Sequence, residues 1–151
     1  MNNSGKTVFN VRVYGLLINF NEEILLSDEQ EFGIQFTKFP GGGLEYGEGL
    51  IDGLKREFIE ECNLEIEVIN HFYTTDFFVE SIFGGGQLIS VYYLVKPMNE
   101  LFFKLTDKPF DFKTQSEPMQ SFRFAAIAEL SVDEITFPVD KHVINLLKQK
   151  Y

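Results

Sequence analysis

A single segment with helical periodicity, residues 49–62, lies between strand-like segments, and this order most restricts the folds open to the chain. At about 100° per residue, the apolar side chains of this segment fall on one side of a helix. They are Leu50, Ile51, Leu54, Phe58 and Cys62. A second helix is predicted from Pro138 onward, because proline favours the first helical turn. Strands that precede, separate and follow two helices predict an α/β fold with a mixed sheet.

The strand-like segments are rich in β-branched and aromatic residues. They cover residues 8–19, 23–26, 34–39, 65–73, 87–96 and 121–127. Two glycine triplets interrupt them: residues 41–43 are expected to break regular structure, and residues 84–86 to form a hairpin turn. Residues 97–120 contain three prolines and are expected to form a long loop with at most a short strand. Loops of this length in compact domains often serve function.

Length and charge limit the classes of protein. The chain has 151 residues, and we expect residues 1–151 to form one compact domain. Its formal net charge of −10 would repel a phosphate backbone, so nucleic acid is not an expected partner. No apolar run has the length of a transmembrane helix, and residues 1–6 lack the pattern of a signal peptide. We therefore expect a cytoplasmic protein that does not bind membranes.

The cysteine and histidine content argues against two kinds of site. Cys62 is the only cysteine, which excludes an intrachain disulfide and a cysteine metal cluster. Its position on the apolar edge of the predicted helix indicates a core residue. His71 and His142 lie far apart in sequence and lack the spacing of zinc ligands.

Three glutamates, Glu57, Glu60 and Glu61, are spaced so that they lie within one wedge of the predicted helix. Like charges at this spacing repel one another and destabilise a helix by a few tenths of a kcal/mol per pair. A divalent cation such as Mg²⁺, which prefers carboxylate oxygens, would offset that repulsion. A solvated acidic face is the alternative reading. Gly53 falls in the same wedge, and we expect it to leave space over the carboxylates for a metal ion or phosphate.

The residues around this helix form a recognisable motif. From Gly42 the chain continues with five residues, Glu48, seven residues and then Arg56-Glu57-Phe58-Ile59-Glu60-Glu61-Cys62-Asn63-Leu64. This resembles the Nudix box, G-x5-E-x7-R-E-U-x-E-E-x-G-U, in which U is a bulky apolar residue. Every defined position matches except Asn63, where the family has glycine. Asparagine tolerates the same left-handed backbone at a helix end, so the departure is mild.

The resemblance implies an α/β/α sandwich with a strand–loop–helix–loop motif over residues 42–64. It also implies that Mg²⁺ or Mn²⁺ ions are bound by the box glutamates and by a glycine carbonyl in the preceding loop. The metal ligands on this sequence would be Glu57, Glu60, Glu61 and Gly42. Arg56 and Glu48 would support the helix and the glutamates by ion pairing.

The family uses different acids as the general base that removes a proton from the attacking water. Some members use the box residue that matches Glu57, and others use an acid from a later loop. Glu117 is the best later candidate here, with Asp107 and Asp111 as competitors.

The implied reaction is metal-dependent cleavage of the diphosphate linkage of a nucleoside diphosphate joined to another group. Nucleoside triphosphates, ADP-ribose and nucleotide sugars all remain open as substrates. One alternative is a non-catalytic domain that binds a nucleotide as a sensor or scaffold, although no box glutamate is degenerate. Another is an enzyme similar to isopentenyl-diphosphate isomerase, which the lack of additional cysteine and histidine ligands disfavours. Homodimers are frequent in the family, and the oligomeric state stays open.

Specificity is expected to lie in residues 28–37, 76–86 and 97–120. Phe32, Phe36 and Phe83 are aromatic side chains that could stack on a base. Because the chain contains 17 phenylalanines, no residue is assigned to base binding.

Overall fold

The computed structural model describes residues 7–151, which form seven strands, two α-helices and one turn of 3-10 helix. The strands are β1 (Phe9–Leu17), β2 (Glu23–Glu31), β3 (Ile34–Lys38), β4 (Gly41–Gly43), β5 (Ile66–Thr74), β6 (Gln87–Pro97) and β7 (Met119–Ala126). The helices are α1 (Leu50–Cys62) and α2 (Pro138–Lys148), and the 3-10 turn covers Val132–Glu134.

The strands form two sheets. One has four strands in the order β4-β1-β6-β5 and is mixed, because β1 and β6 run parallel while the other pairs are antiparallel. The other has three antiparallel strands in the order β3-β2-β7. The predicted mixed sheet is therefore confirmed, with three strands in a second sheet beside it.

Two apolar cores lie on opposite faces of β1 and β2, because side chains alternate between the faces of a strand. Val13 and Leu17 pack in the core that contains Phe58 of α1. Tyr14 and Leu16 pack in the core that contains Val143 and other apolar residues of α2. Helix α1 therefore lies on one side of β1 and β2 and α2 on the other, which is the predicted α/β/α sandwich.

Helix α1 begins one residue after its predicted start and ends at its predicted end, and α2 begins where the sequence predicts. Pro138 is the first residue of α2. Asn63 ends α1 with φ 48° and ψ 42°, which is the left-handed geometry expected there. Its backbone N–H donates to the carbonyl of Ile59, as in a helix whose terminal carbonyls are capped by the following backbone.

Two predictions about the strands need correction. The glycines at 41–43 do not break regular structure but form β4, paired with Arg12, Val13 and Tyr14 of β1. The second strand does not end at Leu26 and continues to Glu31, because its polar end pairs with both β3 and β7. The long loop over residues 98–118 is confirmed, with one isolated bridge between Leu105 and Phe122.

Within residues 7–151, no helix is long and apolar enough to cross a membrane. The prediction that the N-terminus lacks a signal pattern concerns residues 1–6, which lie outside the described part of the chain.

Candidate active site

The site begins where β4 passes under α1. A Cβ atom added to Gly42 would lie 2.5 Å from Glu57 Oε2, which is closer than Cβ contacts occur in proteins. At this position the absence of a side chain therefore allows the carboxylate of Glu57 to lie directly against the backbone. The structure thus brings together two of the predicted metal ligands, one on the helix and one on the glycine strand.

Arg56 organises the acidic side of α1. Its Nη2 donates to Glu48 Oε1 at 2.6 Å and its Nε to Glu48 Oε2 at 3.0 Å, a two-point contact. The hydrogen bonds from Arg56 hold the pKa of Glu48 at about 2, well below its usual value. Nη1 also lies 3.3 Å from Glu57 and 3.2 Å from Glu60. Since Nη2 additionally donates to the carbonyl oxygen of Gly43 at 3.0 Å, Arg56 joins the helix to β4.

The environment of Glu57 raises its pKa to about 7. Burial is the largest cause, because the charged form loses hydration, and the negative charge of Glu61 is the next. The cation of Arg56 acts in the opposite direction but does not outweigh them. Because the negative charge of Glu61 lies close to Glu57, a cation bound between the two carboxylates would be stabilised by both.

Glu61 is held by groups from the second sheet. Gln120 of β7 donates from Nε2 to Glu61 Oε1 at 2.8 Å, and Lys38 Nζ lies 3.9 Å from the same oxygen. Lys38 Nζ also contacts Glu29 at 3.1 Å and donates to the carbonyl oxygen of Gly41 at 3.2 Å. Burial would lower the pKa of Lys38, but Glu61 and Glu29 more than offset it and raise that pKa.

The other predicted site residues lie further from this pair. The side chain of Glu60 is 57% exposed, against 13% for Glu57 and 19% for Glu61, so Glu60 lies at the rim. Glu117 accepts hydrogen bonds from the backbone N–H of Gly33 at 3.1 Å and from Gln30 Nε2 at 3.1 Å. These contacts join Glu117 to the turn between β2 and β3. Within residues 7–151 no hydrogen bond or ion pair links it to the box glutamates.

The expectation for Gly53 was wrong. A Cβ atom there would meet Leu44 Cδ1 at 2.7 Å and Glu48 Oε1 at 2.9 Å. The space above this glycine is therefore taken by the loop before α1 and by the carboxylate that Arg56 binds. Gly53 allows close packing of that loop, and it does not open a space for a metal ion or phosphate.

In the described part of the chain, no three His, Cys, Asp or Glu side chains converge on a point where an ion would sit. Protein groups contact the carboxylates. Glu57 forms an ion pair with Arg56, and Glu61 forms an ion pair with Lys38 and accepts a hydrogen bond from the amide of Gln120. The donor set still fits a hard divalent cation, because it consists of carboxylate oxygens beside an open glycine backbone. The raised pKa of Glu57 points the same way, since that carboxyl lacks enough nearby positive charge.

A cavity of about 330 Å³ opens beside this cluster, on the α2 side of β1. Four phenylalanines line part of this cavity, and neighbouring rings lie 5.5 to 6.3 Å apart between centroids. They are Phe32, Phe36, Phe83 and Phe137. Lys38 lines the same cavity and lies near Glu61, so the cavity adjoins the carboxylates. A cavity of this size that is mostly apolar with a few polar groups is typical of a small-molecule site.

Sequence reasoning did not assign two polar residues that line this cavity, Arg12 and Asp140. The carboxyl of Asp140 is buried and accepts a hydrogen bond from the hydroxyl of Tyr92, and burial raises its pKa to about 6. The available signal was a charged side chain next to apolar ones: Arg12 lies between Val11 and Val13 in the first predicted strand, and Asp140 follows Val139 in the first turn of α2. That signal marks an unusual position but does not indicate which cavity it lines.

The model of the NUDIX domain matches residues 8–146 of this chain. The chain belongs to the Nudix family. The match covers nearly the whole sequence, including the box with its complete set of glutamates. Together they identify a Nudix-type pyrophosphohydrolase, as the sequence predicts. No curated protein matches the sequence.

Solved structures of Nudix proteins share the fold at low sequence identity. The MutT Nudix hydrolase of Burkholderia pseudomallei is 14% identical, with a TM-score of 0.69 over 91% of this chain and 97% of that one. The MutT protein of Methanosarcina mazei Go1 is 15% identical, with a TM-score of 0.68 over 94% of each chain. An ADP-ribose pyrophosphatase of Streptococcus suis 89-1591 is 13% identical, with a TM-score of 0.62 over 93% of this chain and 90% of that one.

Proposed function

We propose that this Nudix protein is a metal-dependent hydrolase that cleaves the diphosphate linkage of a nucleoside diphosphate joined to another group. The observation that carries the proposal is the pair of carboxylates: Glu57 lies against the glycine strand, and Glu61 lies beside Lys38, which lines the cavity. A diphosphate could lie over the side-chain-free backbone at Gly42 while the rest of the molecule fills the cavity. The net charge of −10 makes cations necessary between the protein and such an anion.

Mg²⁺ or Mn²⁺ would be held by Glu57 and Glu61, by Glu60 at the rim and by the carbonyl oxygen of Gly42. When bound, the metal neutralises phosphate oxygens, stabilises the leaving group and lowers the pKa of a coordinated water. Arg56 and Glu48 hold α1 and β4 together, so that the carboxylates keep their separation. Lys38 and Gln120 orient Glu61 from the second sheet.

Glu57 is our preferred general base. In the metal-free protein, burial together with Glu61 raises the pKa of Glu57 to about 7. A bound cation would lower that pKa, so that the Glu57 carboxylate would be ionised and able to accept a proton at neutral pH. Glu117 is the second candidate, but it would have to release Gly33 and Gln30 before its carboxylate could approach the reacting water. Asp107 and Asp111 lie in the same long loop, and within residues 7–151 neither side chain makes a hydrogen bond or ion pair that favours it.

The substrate classes are nucleoside triphosphates, nucleotide sugars and ADP-ribose. The aromatic part of the cavity lining suits a planar or apolar group, and the polar part suits hydrogen-bonding groups. The Streptococcus suis neighbour adds ADP-ribose as a compound to test. We expect a small-molecule substrate in the cytoplasm and no nucleic-acid partner, and a homodimer is the oligomeric state to test.

The experiment is release of phosphate, pyrophosphate and nucleoside monophosphate from a nucleotide panel with Mg²⁺ or Mn²⁺, with EDTA, and with excess Mg²⁺ added after EDTA. We expect turnover of at least one compound, its loss in EDTA and its return on adding metal. Equal turnover in EDTA would contradict metal dependence. Binding of nucleotides without any turnover would contradict the hydrolase and favour the sensor.

A further inference from the structure

In the part of the chain that the structure describes, the Arg12 cation in the cavity wall forms no ion pair, although the negative charges of Glu57 and Asp140 attract it from a greater distance. Its Nε donates to the hydroxyl oxygen of Tyr14 at 2.6 Å. Among residues 7–151, no carboxylate lies within 4.0 Å of Arg12, and neither terminal nitrogen, Nη1 nor Nη2, makes a hydrogen bond to the protein. A partly buried charge without a partner is costly, so this group is suited to an external anion.

The second cation that lines the cavity is already engaged. Lys38 Nζ lies 3.1 Å from Glu29 and donates to the carbonyl oxygens of Phe39 and Gly41. Arg12 differs: its Nε donates to Tyr14, and within residues 7–151 no protein group accepts a hydrogen bond from Nη1 or Nη2 at the planar end of the guanidinium. That end presents two parallel N–H groups, the arrangement that binds two oxygens of one phosphate.

Arg12 also lies where a phosphate next to the carboxylates would reach it. It pairs with Gly43 of β4, and its Nη1 is 3.7 Å from the point that a Cβ on Gly43 would occupy. Gly42, the neighbouring residue of β4, lies against Glu57. Because side chains of adjacent residues leave a strand on opposite faces, the guanidinium and the carboxylate flank the glycine strand from its two sides.

We propose that the planar end of the Arg12 guanidinium binds two non-bridging oxygens of one substrate phosphate on the cavity side of β4. Bound there, it sets which P–O–P linkage lies over Glu57 and Glu61. Tyr14 is a positioning residue that holds the guanidinium through its hydroxyl group. The inference rests on the proposed function for the identity of the substrate, but the anion site can be tested without turnover.

The test is calorimetric titration of the protein with methylenediphosphonate, a diphosphate analogue that cannot be hydrolysed, in the presence of Mg²⁺. Arg12→Met should raise Kd about 10- to 100-fold, because a hydrogen-bonded charged group is removed. Lys96→Met is the matched control, since it removes the same charge from an exposed pair with Glu67 and should change Kd less than about 2-fold. Equal Kd values for wild type and Arg12→Met, or no binding by wild type, would overturn the proposal.

If Arg12→Met does not fold, the Kd of Arg12→Lys provides a second test of the contact. An ammonium group keeps the charge but cannot bind two oxygens in the same fork geometry, so we expect an intermediate Kd. Tyr14→Phe should raise Kd less than Arg12→Met, because it only loosens the guanidinium. Arg12→Lys binding as tightly as wild type would show that charge alone acts and would overturn the proposed two-point contact.

The measurements distinguish a failure of the Arg12 proposal from a failure of the proposed function. Hydrolysis by wild type with an unchanged KM and Kd in Arg12→Met would refute the role of Arg12 and leave the proposed function intact. Arg12-dependent binding of the analogue without hydrolysis of any nucleotide would refute the proposed function and leave the anion site intact.

Discussion

Arg56 contacts four carboxylates along one side of α1 and the loop before it, from Glu45, Glu48, Glu57 and Glu60. The exposed pairs among these contribute little to stability, because solvent screens them. Their effect is geometric: the two-point contact with Glu48 fixes the guanidinium, and the guanidinium then limits where Glu57 can lie. A supporting residue of this kind changes a reaction rate more than it changes folding.

Replacing Arg56 with lysine tests that role. The ammonium group cannot contact both oxygens of Glu48 and reach the Gly43 carbonyl at once, so Glu57 should lose its fixed position. We expect kcat to fall about 10- to 100-fold, as for residues that orient metal ligands, with a smaller change in KM. Lys55→Met, an exposed change on the same helix, is the control and should leave steady-state kinetics unchanged. Unchanged kcat in Arg56→Lys would contradict the positioning role.

The raised pKa of Glu57 predicts how stability depends on pH in EDTA. Its folded-state pKa of about 7 lies above its usual value of 4.5, so the folded chain binds this proton more tightly than the unfolded chain. Its contribution to stability is therefore present below about pH 4.5 and is lost as pH rises to 7. Glu57→Gln should remove this loss, making the variant more stable than wild type at pH 8 by up to about 3 kcal/mol.

Urea unfolding at pH 5 and pH 8 measures this difference. The advantage of Glu57→Gln over wild type should be larger at pH 8, while the exposed Glu65→Gln should show no such trend. The same Glu57→Gln protein should lack turnover. A variant that is less stable than wild type at pH 8 would mean that Glu57 is well compensated in the protein.

At the scale of elements, the glycine strand β4 has the largest effect on the site. Three consecutive glycines carry no pattern that predicts a strand, and glycine is disfavoured in strands by its conformational freedom. Pairing with β1 forms β4 regardless, because Arg12, Val13 and Tyr14 lie opposite the three glycines. The sequence motif therefore marked the right residues, but it could not indicate their pairing with a distant segment.

Gly42→Ala tests why this strand lacks side chains. The new Cβ would lie 2.5 Å from Glu57 Oε2 and would displace the carboxylate from the backbone. We expect kcat/KM to fall at least about 100-fold, while circular dichroism shows retained secondary structure. Gly49→Ala, where the added atom meets nothing within 4 Å, should retain activity. Near-normal kcat/KM in Gly42→Ala would show that Glu57 works in another position.

At the scale of the whole molecule, local pattern predicted both helices and the segments that form strands, because periodicity and capping residues are local signals. The separation into two sheets could not be predicted, since it depends on β1 lying parallel to β6 more than 70 residues later. The same limit applies to the site. The box predicted Glu57, Glu61 and Arg56 through a motif, whereas Lys38, Gln120 and Arg12 come together only through the pairing of distant strands.

The most direct test of metal-dependent hydrolysis by the box glutamates is turnover of the nucleotide panel by wild type and Glu61→Gln with Mg²⁺. Glu65→Gln, which removes the same charge just beyond α1, is the control, and unfolding curves establish that all three proteins are folded. We expect wild type and Glu65→Gln to release nucleoside monophosphate from the same compound, and Glu61→Gln to do so at less than about 1% of that rate. Folded Glu61→Gln with a rate near that of wild type would contradict this expectation.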